Sequence, residues 1–240
     1  MHKLFFDIPE NASEITVTGE DFSHLTVLRI KKGDTITVSD GISVCYTAKA
    51  ESFSKKGAVF SLYDPRPFEI ESKVKIAAYC ALLKSGKSDS VIQKAVELGA
   101  SEIILFQSKN CVAEASSEKG ERKLERWNKI SRQAAMQSGR DIIPSVRGVI
   151  SFKEMISELK EKDISMFLHE KAEFSAYELL KNHPDASTIG FAVGPEGGFT
   201  DLEVEEAVSN GVPSISLGKR ILRAETAPLC ILSICGALFE

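Results

Sequence analysis

No stretch of this 240-residue chain approaches the roughly 18 consecutive apolar residues that a bilayer-spanning helix needs, so no membrane partner is expected. A dominant charge is missing too. The formal net charge of −4 rules out a global basic field, and any nucleic-acid contact must come from local patches. Cysteine is sparse: Cys45, Cys80, Cys111, Cys230 and Cys235 include no C-x-x-C pair, and the histidines at 2, 24, 169 and 183 are scattered, so no zinc spacing emerges and no metal is expected. Met1–Pro9 is too short, and too polar at its end, to read as a secretory signal. An odd cysteine count without such a signal points to reduced thiols and a cytoplasmic protein. Internal repeats and low-complexity tracts are also absent.

What is present changes texture once. Residues 1–64 read as short strands, among them Ile15–Val17 and Thr35–Val38, with Asp40-Gly41 as a hairpin turn and Ile42, Val44, Tyr46 and Ala48 alternating after it. A small β-barrel is the expected product. Pro65-Arg-Pro67 restricts the backbone and sets a junction near residues 65–72, giving domains of 1–72 and 73–240. Beyond it, apolar runs at 74–83, 102–107, 164–168, 189–193 and 214–217 suit buried strands. Helical patterns lie between them at 91–98, 118–138, 151–161 and 174–181, and Ser151 with Glu154 forms a capping box. That rhythm predicts an α/β domain with a mainly parallel sheet.

Two of the strand ends run into glycine-bearing loops. After Ile189–Val193, Gly194-Pro195-Glu196-Gly197-Gly198 cannot continue a strand, while its glycines permit close approach of main-chain groups to a ligand. Thr200 and Glu203 then form a second capping box. After Ile215–Leu217, Gly218 opens a turn carrying Lys219, Arg220 and Arg223, and Thr226 is the expected N-cap of a last helix that is apolar nearly all round. That helix has to be covered, by the core or by another subunit. Two such loops at neighbouring strand ends make a ligand crevice.

One tempting motif fails on inspection. Ala81-Leu-Leu-Lys-Ser-Gly-Lys-Ser88 fits a permissive phosphate-loop pattern, yet only Gly86 has the backbone freedom a phosphate cradle needs, and no apolar strand ends in an Asp suited to magnesium. A nucleotide triphosphatase is therefore not expected. Residues 122–140 are basic, with Arg122, Lys123, Arg126, Lys129, Arg132 and Arg140 against Glu125, and Leu124, Trp127 and Ile130 recur at helical spacing. A charge run of this kind serves either as a solvated helix face or as an RNA-facing patch. Residues 1–72 carry 8 basic against 11 acidic side chains, so an RNA contact there would need specific residues rather than bulk charge.

The blocks Gly194-Pro-Glu-Gly-Gly-Phe199 and Leu217-Gly-Lys-Arg-Ile-Leu-Arg-Ala-Glu-Thr-Ala227 resemble the two C-terminal signatures of the RsmE family, SPOUT-class methyltransferases acting on N3 of a uridine in small-subunit (16S) ribosomal RNA. Ile92–Gly99, Trp127–Arg140, and His24 followed by Val27-Leu28-Arg29 add matches in family order along essentially the whole chain. The resemblance implies a C-terminal trefoil knot, a PUA-like N-terminal barrel, S-adenosyl-L-methionine as methyl donor, and a homodimer that covers the last helix. For the donor it implies a site among Leu168, His169, Glu170, Val193, Gly194, Pro195, Glu196, Gly197, Gly198, Leu217, Gly218, Ile221, Leu222 and Thr226. Uridine N3 has to lose its proton before it attacks. Arg223 is the expected cation for the uridinate oxygens, and Glu225 either orients Arg223, accepts the proton or serves as a first-turn carboxylate.

Lys3, His24, Arg29, Lys84, Lys87, Arg132 and Arg140 are the expected RNA contacts, with naked RNA and the assembled 30S subunit both open as substrate. The chain departs from the family at Lys3-Leu4-Phe5-Phe6, where relatives carry Arg-Phe-Phe, and at Ser88, where they more often have an apolar residue. Lys3 supplies charge without the bidentate geometry of arginine. Two further functions remain open on the sequence: a SPOUT enzyme with another RNA target, which would bind the donor, and a non-catalytic RNA-binding protein, which would not.

Overall fold

A computed structural model describes residues 3–9, 11–84, 86–112 and 117–239. It divides into two compact units, one comprising residues up to Glu71 with Ala135–Ile143, the other Ser72–Ala134 with Pro144–Glu240.

The first unit contains β1 (Lys3–Phe5), β2 (Glu14–Thr18), α1 (Gly19–Val27), β3 (Thr35–Ser39), β4 (Val44–Phe53) and β5 (Gly57–Pro67). The strands form one sheet in the order β1-β3-β4-β5-β2, antiparallel except where β1 runs parallel to β3. Leu4, Val17, Leu25, Ile36, Val38 and Phe60 are fully buried in its core. β1 and β2 are both edges, so among the described residues the expected barrel is an open one. Helix α1 departs from the all-strand expectation; Thr18 precedes it without a side-chain cap, and its one buried residue is Leu25. Ile42 is a further correction, being 81% exposed in the turn rather than in a strand. The Asp40 carboxylate accepts from the N–H groups of Ile42, Ser43 and Val44 at 2.8, 2.8 and 3.0 Å, which withholds those donors from a ladder until Val44. Pro65 and Pro67 lie within β5, past Ser61, the last β5 residue that pairs with β2, where one side of the strand needs no donor.

The second unit contains β6 (Lys75–Ala81), α2 (Lys87–Glu97), β7 (Glu102–Gln107), α3 (Ser117–Ser138) except for its last residues from Ala135, which belong to the first unit, β8 (Ser145–Ser151), α4 (Phe152–Leu159), β9 (Ile164–Leu168), α5 (Ala176–Lys181), β10 (Thr188–Val193), α6 (Asp201–Ser209), β11 (Ser214–Ile215) and α7 (Ala227–Phe239). All six strands are parallel, in the order β11-β9-β10-β6-β7-β8. Burial on both faces accounts for the unbroken apolar runs of β6, β7 and β10, as helices cover a parallel sheet on either side. Both expected capping boxes form, Ser151 with Glu154 at α4 and Thr200 with Glu203 at α6. The phosphate-loop look-alike is closed by the protein itself, since Ser88 Oγ accepts from Leu83 N–H at 3.1 Å; its Ser85 lies outside the described residues.

Register fixes where a ligand can sit. Val193 of β10 pairs with Leu168 of β9, and Leu168 pairs with Ile215 of β11. Three carboxyl strand ends are therefore level, and the chain leaves each of them into a loop. In open α/β sheets this edge is the ligand-binding edge.

Candidate functional site

The loops leaving β9, β10 and β11 line a cleft of about 480 Å³, within the range of small-molecule sites. Leu168, His169 and Glu170 come from the first strand end, the whole run Val193–Phe199 from the second, and Leu217, Gly218, Arg220–Glu225 and Ala227 from the third. Lys87, at the start of α2, completes the wall.

The β10 loop is fixed from several directions. Gly198 adopts φ +68° and donates its N–H to Pro195 C=O at 2.9 Å, closing a turn that a side chain would strain. Asn110 Nδ2 donates to the carbonyls of Gly197 and Gly198 at 3.3 and 3.1 Å. Glu203 binds the loop's far end: besides its capping contacts with Thr200 it accepts from Ser108 Oγ at 2.9 Å and Lys109 N–H at 3.0 Å. Burial pushes this carboxyl up, but the donors from Lys109, Thr200 and Ser108 outweigh burial and hold it below the usual glutamate range. In the β11 loop, Gly218 takes φ +115° and donates to Ser216 Oγ at 3.1 Å. Arg223 C=O accepts from Thr226 and Ala227 N–H at 2.8 and 3.0 Å, which turns the chain into α7.

The lining combines apolar surface with a few charges. Leu168 and Val193 are buried at the floor, while Ile221 is 81% exposed at the mouth. Arg223 makes no side-chain hydrogen bond or ion pair among the described residues, leaving its guanidinium available to a ligand. Glu225 accepts from Lys87 Nζ at 3.3 Å. Its own backbone N–H holds its carboxyl below the usual glutamate range; slight burial opposes this, and Lys87 and Arg223 reinforce it. A carboxylate of that kind stays ionised and is a weak proton acceptor. No cysteine lines the cleft, and burial raises the Cys80 and Cys235 thiols to about 12. Among the described residues no cluster could hold a metal ion, and no helix is long and apolar enough to cross a membrane.

The expected donor-site residues come together, with one exception. Thr226 does not line the cleft; its main-chain groups are taken up in starting α7, its N–H by Arg223 and its C=O by Cys230 N–H. Phe199, Arg220, Ala224 and Ala227 line it without having been anticipated, although Phe199 follows directly on the glycine run. Lys87, expected on RNA, faces carboxylates instead. Lys84 is exposed and donates its N–H to Glu196 Oε1 at 3.2 Å. His24 and Arg29 are exposed in the first unit, and Arg132 is half-buried on α3.

Lys3 and Arg140 require correction as RNA contacts. Each is 6% exposed. Lys3 Nζ donates to Gly139 C=O at 2.8 Å and to Asp141, while Arg140 donates to Glu71 Oε1 at 3.2 Å and Oε2 at 2.5 Å. Both charges are neutralised inside the first unit.

Comparison with known proteins agrees with this architecture. The family model described as an RNA methyltransferase domain matches residues 70–236, and that of an RNA methyltransferase PUA domain matches residues 17–63. A ribosomal RNA small subunit methyltransferase E of Bacillus subtilis is 34% identical over 97% of this chain and 95% of its own length. The chain belongs to the RsmE family. The namesake from Mesomycoplasma hyopneumoniae is 33% identical over 96% of this chain and 97% of its own. A crystal structure of the Neisseria gonorrhoeae family member bound to S-adenosylmethionine superposes with a TM-score of 0.89 at 29% identity, covering 100% of this chain and 98% of that one. The RsmE resemblance read from the sequence thus holds, as does its fold class, a SPOUT methyltransferase domain preceded by a PUA-like one.

Proposed function

We propose that this chain transfers a methyl group from S-adenosyl-L-methionine to N3 of a uridine in small-subunit ribosomal RNA, acting as a cytoplasmic homodimer. The observation that carries the reading is the cleft itself: three level strand ends, two glycine loops and the Arg223 guanidinium, in a chain that matches a family member over 97% of its length. The residues present suit the donor. Nothing lies within 4 Å of a Cβ built at Gly198 or Gly218, so the open main chain at both turns can approach a ligand. Leu168, Val193, Leu217 and Leu222 give apolar surface for a purine, and Glu170 or Glu196 can accept from ribose hydroxyls.

Bound there, S-adenosyl-L-methionine would supply an electrophilic methyl. The chain's own task is to make N3 of the uridine a nucleophile. Arg223 stabilises the negative charge that spreads to the uridinate oxygens as the N3 proton passes to solvent water. Glu225, ionised and weakly basic, balances the charge of Arg223 at a distance rather than taking the proton. His24, Arg29, Lys84 and Arg132 remain the candidate RNA contacts. The half-buried Leu229, Ile234 and Leu238 on α7 support a second copy as the cover of that helix.

The test is methyl transfer from labelled donor to small ribosomal subunits from cells lacking this protein, with mass spectrometry of the nucleosides. The expected product is 3-methyluridine. A different methylated nucleoside would redirect the target, and absence of donor binding would favour a non-catalytic RNA-binding protein. Arg223→Ala should lower the single-turnover rate about a hundredfold, as loss of one charge-stabilising donor does in other enzymes, with donor affinity little changed.

A further inference from the structure

Lys87 stands in an unexpected place. It is the first residue of α2, where the helix dipole disfavours a cation, and the acidic residue of that turn is Asp89. A residue that violates a local rule needs a compensating role elsewhere. Its ammonium lies 3.3 Å from each carboxylate oxygen of Glu225 and 3.7 Å from Glu196 Oε1. Glu225 belongs to the β11 loop and Glu196 to the β10 loop. One side chain from a third element thus bridges the two loops that build the cleft. Glu196 is further seated by Lys84 N–H, so the bridge is anchored at both ends of the β6–α2 turn.

We propose that Lys87 is a positioning residue, an ionic latch that holds the β10 and β11 loops at the spacing the methyl donor needs. The inference rests on the donor-binding reading of the cleft. It differs from the RNA-contact role the sequence suggested, because the ammonium is already engaged by two carboxylates. The latch is strong enough to order two loops and weak enough to be released: the side chains of Lys87, Glu196 and Glu225 are 35%, 27% and 27% exposed, so solvent screens the pairs. The other ionisable groups lining the cleft are His169, Glu170, Arg220 and Arg223. Of these, Arg223 also acts electrostatically on Glu225.

The experiment is calorimetric binding of S-adenosylmethionine and of S-adenosylhomocysteine to the full chain without RNA, across acid and neutral pH. The variants are Lys87→Met, which keeps the length of the stem without its charge, and Lys87→Arg. The latch predicts that Lys87→Met weakens both ligands by about fivefold at neutral pH, the scale of a screened ion pair, while Lys87→Arg stays near wild type. It also predicts that wild-type affinity falls in acid as the Glu225 carboxylate protonates and lets go, and that this fall is lost in Lys87→Met. A packing role for the stem would be preserved in Lys87→Met, with the acid fall intact; equal affinities and equal pH profiles in wild type and Lys87→Met overturn the latch. Failure of the wild type to bind either ligand would instead overturn the donor-binding reading, and the latch with it.

Discussion

Two ionic clusters in this molecule use the same chemistry under opposite conditions. In the first unit, the Lys3 and Asp141 side chains are 6% and 4% exposed, and Asp141 also accepts from Cys45 Sγ at 3.1 Å and from the N–H groups of Glu69 and Ile70 at 3.0 and 2.9 Å. Beside it Glu71 binds Arg140 together with the N–H groups of Asp141 and Ile142. In the second unit, Lys87 meets Glu225 and Glu196 at the wall of an open cleft. The buried cluster leaves its charges no choice, because taking a partner away strands the other in a low-dielectric interior. The cleft cluster can exchange partners at little cost. Burial, more than the presence of a cation, therefore separates the fixed lysine and arginine from the exchangeable one.

The largest effect should come from the buried side. Asp141→Ala removes the acceptor for an enclosed ammonium and two backbone N–H groups, and is expected to destabilise the first unit by about 3–5 kcal/mol in denaturant titrations. Its pH dependence has a definite sign. Burial pushes the Asp141 carboxyl up, but hydrogen bonds from Lys3, Ile70, Cys45 and Glu69 outweigh burial and hold it below the usual aspartate range. A carboxyl with a lowered folded-state value contributes its full stability above the unfolded value, about 3.9, and loses it as pH falls through the folded one. Wild-type protein should thus lose stability on acidification below about pH 4, and Asp141→Asn should lose less over the same interval. Equal acid slopes in the two proteins would break the comparison at its stronger end.

That cluster also marks where the sequence stops being legible. The buried strands and both capping boxes could be read because their signals are local, an unbroken apolar run or a partner three residues away. The cleft could be read because its two loops carry glycines, a proline and charges in compact blocks. Lys3 and Arg140 could not. Lys3 is 138 residues from Asp141 and Arg140 is 69 from Glu71, so nothing local reveals that these cations are already paired. β8 was missed for a different reason: as an edge strand carrying Arg147 and Gly148, with Val146 its one buried residue, it lacks the apolar run that exposed β6 and β10. Lys87 lay in the right block, but its carboxylate partners could not be read there, since they arrive from loops more than a hundred residues downstream.

Glu203 sharpens the comparison from between the extremes. It is buried like Asp141 yet forms part of the cleft's scaffolding, joining Ser108 and Lys109 to the start of α6 through hydrogen bonds to uncharged donors. Glu203→Ala leaves the Lys109 and Thr200 N–H groups without their acceptor, at an expected cost of about 2–3 kcal/mol in thermal or chemical unfolding. Because the same residue holds the far end of the β10 loop, donor affinity should fall in parallel. A stability loss with unchanged affinity would mean that Asn110 alone suffices to fix the loop.

The smallest effect on stability should be that of Lys87→Met. Both of its pairs are screened, and the apolar replacement relieves a cation from the positive end of α2, so the two changes nearly cancel and the unfolding free energy should move by less than about 1 kcal/mol. Measured by the same denaturant titration as Asp141→Ala, this sets the two clusters on one scale. A loss approaching that of Asp141→Ala would show that the cleft lysine is held as firmly by its partners as the buried one, and the distinction between fixed and exchangeable charge would fail. A change within the expected bound, with donor affinity reduced, would place the contribution of Lys87 in the arrangement of the loops rather than in the stability of the fold.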